Sequence, residues 1–174
     1  MVSKELLLVT SRFSVEEVDR KTPDGQTRTR AVVRHPGAVT IIPMVDEDHV
    51  CLIHNFRVSV DRTLIELPAG TLEPPEPPDQ AADRELVEET GYRAGKLREV
   101  HGFYLSPGIL DERMHLYVAT NLEMVGAARE PGEEIENLVV SWSEAMRMVE
   151  SREIQDAKTI AGLLLYDRLR MRHA

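Results

Sequence analysis

The stretch RELVEETGY, Arg84 to Tyr92, sets three glutamates within five residues, behind an arginine and ahead of a glycine. On a helix that turns about 100° per residue, Glu88 lies roughly 60° to one side of Glu85 and Glu89 roughly 40° to the other, so all three carboxylates share one face. Like charges three or four residues apart each cost a helix roughly 0.2–0.5 kcal/mol, and a carboxylate in the last turn also opposes the helix dipole. A solvated acidic face is the ordinary explanation of such a run. The chemical alternative is a cation site. Arg84 can pair with Glu88 one turn on, but one arginine cannot neutralise three carboxylates. A hard divalent ion can, because Mg²⁺ takes oxygen ligands and is commonly held by one or two carboxylates with waters and substrate phosphates.

The elements that must position this face are legible in the punctuation of the chain. Four prolines in TLEPPEPPDQ forbid a regular helix before Pro78 or Asp79. Ala81, Ala82, Leu86 and the glutamates then favour about three helical turns, ending at Gly91 as a C-terminal cap. Upstream, Leu8 to Lys21 and Gln26 to Arg34 read as an opening hairpin around the turn Pro23-Asp24-Gly25. Ala38 to Met44 and His49 to Phe56 read as core strands joined by Asp46-Glu47-Asp48, and Leu64 to Leu67 as a short strand. Downstream, Lys96 to Leu105, Met114 to Leu122 and Leu138 to Trp142 read as strands separated by SPGILDE and REPGEE. Ser143 to Glu150 and Arg152 to Arg170 carry apolar residues at helical spacing, so two helices close the chain.

Composition narrows the functions available. The chain has 174 residues, 42% hydrophobic and 29% charged, which suits one globular domain, and its net charge of -9 offers no basic field for nucleic acid or an anionic membrane. Cys51 is the single cysteine, so no internal disulfide can form, and its apolar setting suits a buried strand in a reducing compartment. The apolar cluster Leu6 to Val9 is too short for a signal peptide core, and no run approaches the roughly 20 apolar residues that span a bilayer. A cytoplasmic protein is expected. The six histidines show no metal-binding spacing, and His35, His54 and His115 read as strand residues.

Gly70, Glu76, Arg84, Glu85, Leu86, Glu88, Glu89 and Gly91 match, at every fixed spacing, the signature G-x5-E-x7-R-E-U-x-E-E-x-G-U, where U is a bulky aliphatic residue. Only Tyr92 at the final U departs from it, and an aromatic can fill the same core position. On these residues the chain resembles the Nudix hydrolases. The resemblance implies an α/β Nudix fold, an α/β/α sandwich around a mixed β-sheet, with the signature helix on one side and the C-terminal helices on the other. It also implies Glu85 and Glu89 as direct ligands of Mg²⁺ or Mn²⁺, Glu88 as a ligand direct or through water, and the carbonyl of Ala69 as a further ligand. Gly70, Glu76, Arg84 and Gly91 would be structural, with Glu76 and Arg84 locking the loop to the helix.

The blocks RHPGAVTIIP, HNFR, IELPAG, AADRELVEETGY and YLSPGILDE resemble, in order, the ADP-ribose pyrophosphatase branch of that family. In SPG the proline falls sixteen residues after Gly91, as in that branch. The branch implies hydrolysis of ADP-ribose to AMP and ribose 5-phosphate. Arg57 would contact phosphate, Glu66 the substrate or a metal through water, and Pro107, Gly108 and Glu112 the substrate. In REPGEEIEN the general base would be Glu133 or, as second choice, Glu136. Residues 1–36 would form an N-terminal hairpin region that exchanges across a homodimer and reaches the partner's base site, with Arg28 and Arg30 as contacts, and residues 37–174 the hydrolase domain. Two alternatives accompany this reading: another nucleotide sugar such as a GDP-hexose, or a module that binds a nucleotide without cleaving it.

Overall fold

The structure, a computed structural model, describes residues 4–128 and 135–172. The chain runs β1 (Lys4–Val9), β2 (Ser14–Lys21), β3 (Thr27–Arg34), β4 (Ala38–Pro43), β5 (His49–Arg57), β6 (Arg62–Glu66), β7 (Ala69–Thr71), α1 (Pro78–Thr90), β8 (Tyr92–Tyr104), β9 (Arg113–Met124), β10 (Ile135–Ser141), α2 (Trp142–Glu150) and α3 (Ala157–Arg170). The central sheet, in the order β7-β4-β9-β8, is mixed: β4 and β9 are parallel, while β7 and β8 run antiparallel to their neighbours. A second, antiparallel sheet has the order β10-β5-β6.

The period of two along β4 and β9 sorts their side chains into two cores. Val39, Ile41, Tyr117 and Ala119 pack under Ala81, Ala82 and Leu86 of α1. Ile42, Leu116 and Val118 face the other way, toward Trp142, Ala145 and Met148 of α2 and Leu163 of α3, with Val50 and Leu52 of β5 in the same cluster. The expected α/β/α arrangement is therefore present, with α1 on one face of the mixed sheet and α2 and α3 on the other. The strands expected to form one sheet are divided between two.

The N-terminal region differs from a hairpin. It is a three-stranded antiparallel sheet, β1-β2-β3, because the stretch read as a single strand from Leu8 turns back at Thr10. The Thr10 hydroxyl accepts from the Phe13 backbone N–H at 2.9 Å and donates to the Phe13 carbonyl at 2.7 Å, which closes the turn. Arg34 ties this sheet to the rest, reaching Glu16 at 2.8 Å and Asp111 at 2.9 Å, and Val33 exchanges backbone bonds with Ile109 and Asp111. His35 lies in the linker between β3 and β4 rather than in a strand. Helix α3 begins at Ala157, later than expected, because Asp156 caps it by accepting from the backbone N–H of Thr159. Among the described residues no helix is long and apolar enough to cross a membrane.

Candidate active site

Helix α1 starts at Pro78, whose missing N–H costs nothing in a first turn, and ends at Gly91 with φ 78°, where the N–H bonds back to the Val87 carbonyl. A side chain at Gly91 would be strained by that φ and would also meet the Ala127 nitrogen at 2.7 Å. Burial of Ala81, Ala82 and Leu86 fixes the helix rotation, and with it the direction of the three glutamates. Two of these look onto Ala69 and Gly70 of β7. Glu89, 4% exposed, accepts from the Ala69 N–H at 2.8 Å. The carboxylate of Glu85 lies so close to Gly70 that a Cβ there would sit 1.8 Å from it. The signature glycine is thus explained by the glutamate that fills its space.

Arg84 is the hub of the helix face. Its Nε and Nη2 each donate to Glu76 at 3.0 Å, while Nη1 donates to Glu85 at 2.8 Å and Glu88 at 2.9 Å. The fork to Glu76 is the main reason its own pKa is raised, and the same bonds hold the Glu76 carboxyl below its ordinary value against a smaller opposing effect of burial. These bonds join the loop that carries Glu76 to α1.

On the neighbouring sheet, Glu66 is 1% exposed at the end of β6, three residues before Ala69. Burial alone would raise its pKa, but the hydrogen bonds and charge of Arg57, with the charge of Lys158, overcome that and hold it ionised. Arg57 donates to Glu66 from Nε at 2.8 Å and from Nη2 at 2.6 Å, and Lys158 donates to the same carboxylate from α3. The hydrogen bond to Glu66 is in turn the main cause of the raised Arg57 pKa, and the charge of Glu89 adds to it, so the two clusters sense each other.

The remaining expected residues fall in different places. Glu112 stands two residues before Met114, which pairs with Ala38 of β4, itself paired with Thr71 of β7; it is therefore at the Gly70 end of the mixed sheet. Its Oε1 lies 3.8 Å from His35 Nδ1. Pro107 and Gly108 line an open cleft with Val32, Arg34, Tyr104 and Asp111, between the N-terminal sheet and the SPG loop. Arg30 is exposed on β3, donating to the Thr29 carbonyl at 2.9 Å, and belongs to that sheet rather than to the α1 cluster. Glu133 lies outside the described residues. Glu136 pairs with His54 in a register that gives it the parity of Leu138 and Val140, which pack against the α2 and α3 core. The adjacent Asn137 has the opposite parity and donates to the Thr90 carbonyl at the end of α1 at 2.7 Å. Glu136 therefore points away from the α1 face.

Sequence reasoning missed Lys158, Asp156 and the Arg34–Asp111 tie. A signal for Lys158 existed: a lysine in the first turn of a helix opposes the dipole and needs a carboxylate partner. The oxygen-only set of Glu85, Glu88, Glu89 and the Ala69 carbonyl has the chemistry of a hard divalent cation site, and the missing side chain at Gly70 lets the Glu85 carboxylate stand against that backbone. Among the described residues no three acidic, His or Cys side chains converge as a finished cage, because Arg84 stands between Glu85 and Glu88.

Comparison with known proteins agrees with this geometry. Residues 34–163 match the NUDIX domain model. The chain is 39% identical to the ADP-ribose pyrophosphatase of Bacillus subtilis (strain 168) over 91% of its own length and 86% of the relative. It is 37% identical to the methanol dehydrogenase activator of Bacillus methanolicus, over 87% and 82%. It is 32% identical to the GDP-mannose pyrophosphatase of Salmonella arizonae (strain ATCC BAA-731 / CDC346-86 / RSK2980), over 98% and 94%. A solved structure described as an ADP compounds hydrolase superposes with a TM-score of 0.87 at 23% identity, covering 100% of this chain and 95% of that one, and so shares the fold. An acidic α1 face locked by Arg84 to Glu76, on a chain matched by the family model through most of its length, has one explanation: the chain belongs to the NUDIX domain family.

Proposed function

We propose that the chain hydrolyses the pyrophosphate of ADP-ribose, or a closely related nucleoside diphosphate sugar, to AMP and ribose 5-phosphate, with Mg²⁺ or Mn²⁺ as cofactor. The observation that carries this reading is the approach of Glu85 to Gly70 and of Glu89 to Ala69, which presents carboxylates of α1 beside the backbone of β7. Similarity to the Bacillus subtilis ADP-ribose pyrophosphatase supports the substrate. Bound divalent metal would supply positive charge to a protein of net charge -9 and lower the pKa of a coordinated water.

The chain's own residues would do the rest. Glu85, Glu89 and the Ala69 carbonyl would hold the cation, with Glu88 joining directly or through water. Arg84 would keep its Nε and Nη2 fork on Glu76, so that the helix face stays in place while Glu85 and Glu88 serve as ligands. Arg57, fixed by Glu66, would turn its remaining donors to a phosphate; both oxygens of Glu66 accept bonds from Arg57 or Lys158, which suits a support better than a substrate contact. Pro107, Gly108 and Glu112 would border the sugar or base. Glu133 remains the proposed general base, since Glu136 has the opposite orientation.

Residues 1–36 are proposed as a dimerisation arm. Leu6, Leu7, Leu8 and Val9 are 50–65% exposed on β1, an apolar edge strand of the kind that a second copy would cover. The buried single cysteine suits the cytoplasm. Similarity to the GDP-mannose pyrophosphatase favours a second substrate reading within the same chemistry. A panel of ADP-ribose, GDP-mannose and other nucleotide sugars compared by kcat/KM tests both. Highest kcat/KM on ADP-ribose supports the first reading, and highest on GDP-mannose the second. Tight binding of ADP-ribose without turnover in Mg²⁺ would replace both with a sensing role.

A further inference from the structure

Lys158 is an anomaly by position. It is the second residue of α3, where the positive end of the dipole disfavours an ammonium, and its side chain is only 9% exposed. A lysine in such a place normally neutralises or finds partners. It has two, Glu66 and, at 3.0 Å, Asp156.

Glu66 is the point where this matters. The groups facing its carboxylate are Arg57 from β5 and Lys158 from α3, with Asp156 behind the lysine and the charge of Glu89 acting on Arg57 from α1. Arg57 spends Nε and Nη2 on Glu66, while its side chain remains 36% exposed. The orientation of that exposed edge is therefore set by where Glu66 stands and by its being ionised. We infer that Lys158 is a positioning residue of the reaction: it anchors the Glu66 carboxylate from behind, so that Glu66 holds the Arg57 guanidinium in its phosphate-accepting orientation. Asp156 caps α3 through Thr159 and touches Lys158, and the Thr159 hydroxyl accepts from the Leu67 N–H at 2.8 Å. The first turn of α3 thus braces the strand end that carries Glu66. The inference rests on the proposed role of Arg57 toward phosphate.

The test is a double-mutant cycle on ADP-ribose hydrolysis with Mg²⁺, using K158M, R57Q and R57Q/K158M. Loss of uniform binding predicts that K158M raises KM about tenfold with kcat within about twofold, and that K158R restores most of it. If Lys158 acts through Arg57, K158M in the R57Q background changes KM by less than about twofold. An undiminished K158M effect in that background, or an unchanged KM in folded K158M protein, overturns the inference. Should K158M fail to fold, E66Q against E66Q/K158M carries the same test, because removal of both partners leaves no buried unpaired charge. Equal KM in those two is expected, and a higher KM in the double variant would mean that Lys158 meets substrate itself.

The Nε–H resonance of ¹⁵N-labelled Arg57 separates this inference from the functional reading. It should be protected from exchange in the wild type and in K158R and lose that protection in K158M or, where that does not fold, in E66Q/K158M relative to E66Q/K158R. Protection unaltered by the lysine change overturns the inference. Loss of protection in a protein that turns over no nucleotide sugar, or whose R57Q variant keeps its KM, retains the brace and rejects the phosphate role.

Discussion

Replacing Gly70 with alanine tests the site at its tightest point. The backbone there is not in the left-handed region, so alanine carries no conformational penalty of its own. The added Cβ would lie 1.8 Å from both the Glu85 carboxyl carbon and Oε1, where ordinary contact is roughly 3.5 Å, so the carboxylate must retreat by more than an ångström. Misplacement on that scale costs about 100-fold in rate, or ~2.7 kcal/mol of barrier. The fold should persist, because Ala81, Ala82 and Leu86, which seat α1 on the sheet, are not among the atoms that the new Cβ would meet. Steady-state kinetics of AMP release from ADP-ribose, with the melting temperature measured beside it, is the assay. A fall of about 100-fold in kcat/KM at near-constant Tm is expected, with partial recovery at high Mg²⁺. Activity within about threefold of wild type would refute the reasoning, since Glu85 would then not need the position that the glycine allows.

Other consequences are open to measurement. The Glu76 carboxyl is held below its ordinary 4.5 chiefly by hydrogen bonds from Arg84. A depressed folded pKa contributes stability that is present above the unfolded value and lost as pH falls through the folded one. Urea midpoints should therefore drop in the wild type from about pH 5 downward, and E76Q should lack that share of the drop; equal acid sensitivity would remove Glu76 from the lock. Leu86→Ala empties a fully buried place under α1 and should cost about 2–5 kcal/mol by denaturant titration, with activity falling as the helix loosens. A cost below about 1 kcal/mol would mean that α1 is not held by that face. Leu8→Lys, on a side chain 50% exposed in β1, should convert the proposed dimer to monomer in sedimentation equilibrium; an unaltered dimer would place the interface elsewhere.

The helix that carries the carboxylates was legible because its limits are local: prolines before Pro78, a glycine at 91, and apolar spacing between. Its lock was legible because the fixed spacing of Glu76 and Arg84 carries a known resemblance. What escaped depends on register and on distance along the chain. The direction of Glu136 follows from its pairing with His54, which no local pattern reveals. Lys158 meets a carboxylate 92 residues away, across two elements packed by other residues. β7 is three residues long, too short for any alternation to appear, and exists because β4 offers it a partner. The turn at Thr10 is closed by its hydroxyl together with a backbone bond to Phe13, in a stretch whose composition otherwise reads as continuous strand.

AMP formation from ADP-ribose by wild type, E85Q and E89Q, with Mg²⁺ and after its removal by chelation, bears most directly on the carboxylate site. AMP and ribose 5-phosphate should appear in equal amounts with the wild type and metal, and fall by at least about 100-fold in each variant and on chelation, while circular dichroism shows intact folds. Full activity in a folded E85Q or E89Q protein, or undiminished turnover without divalent metal, would contradict it.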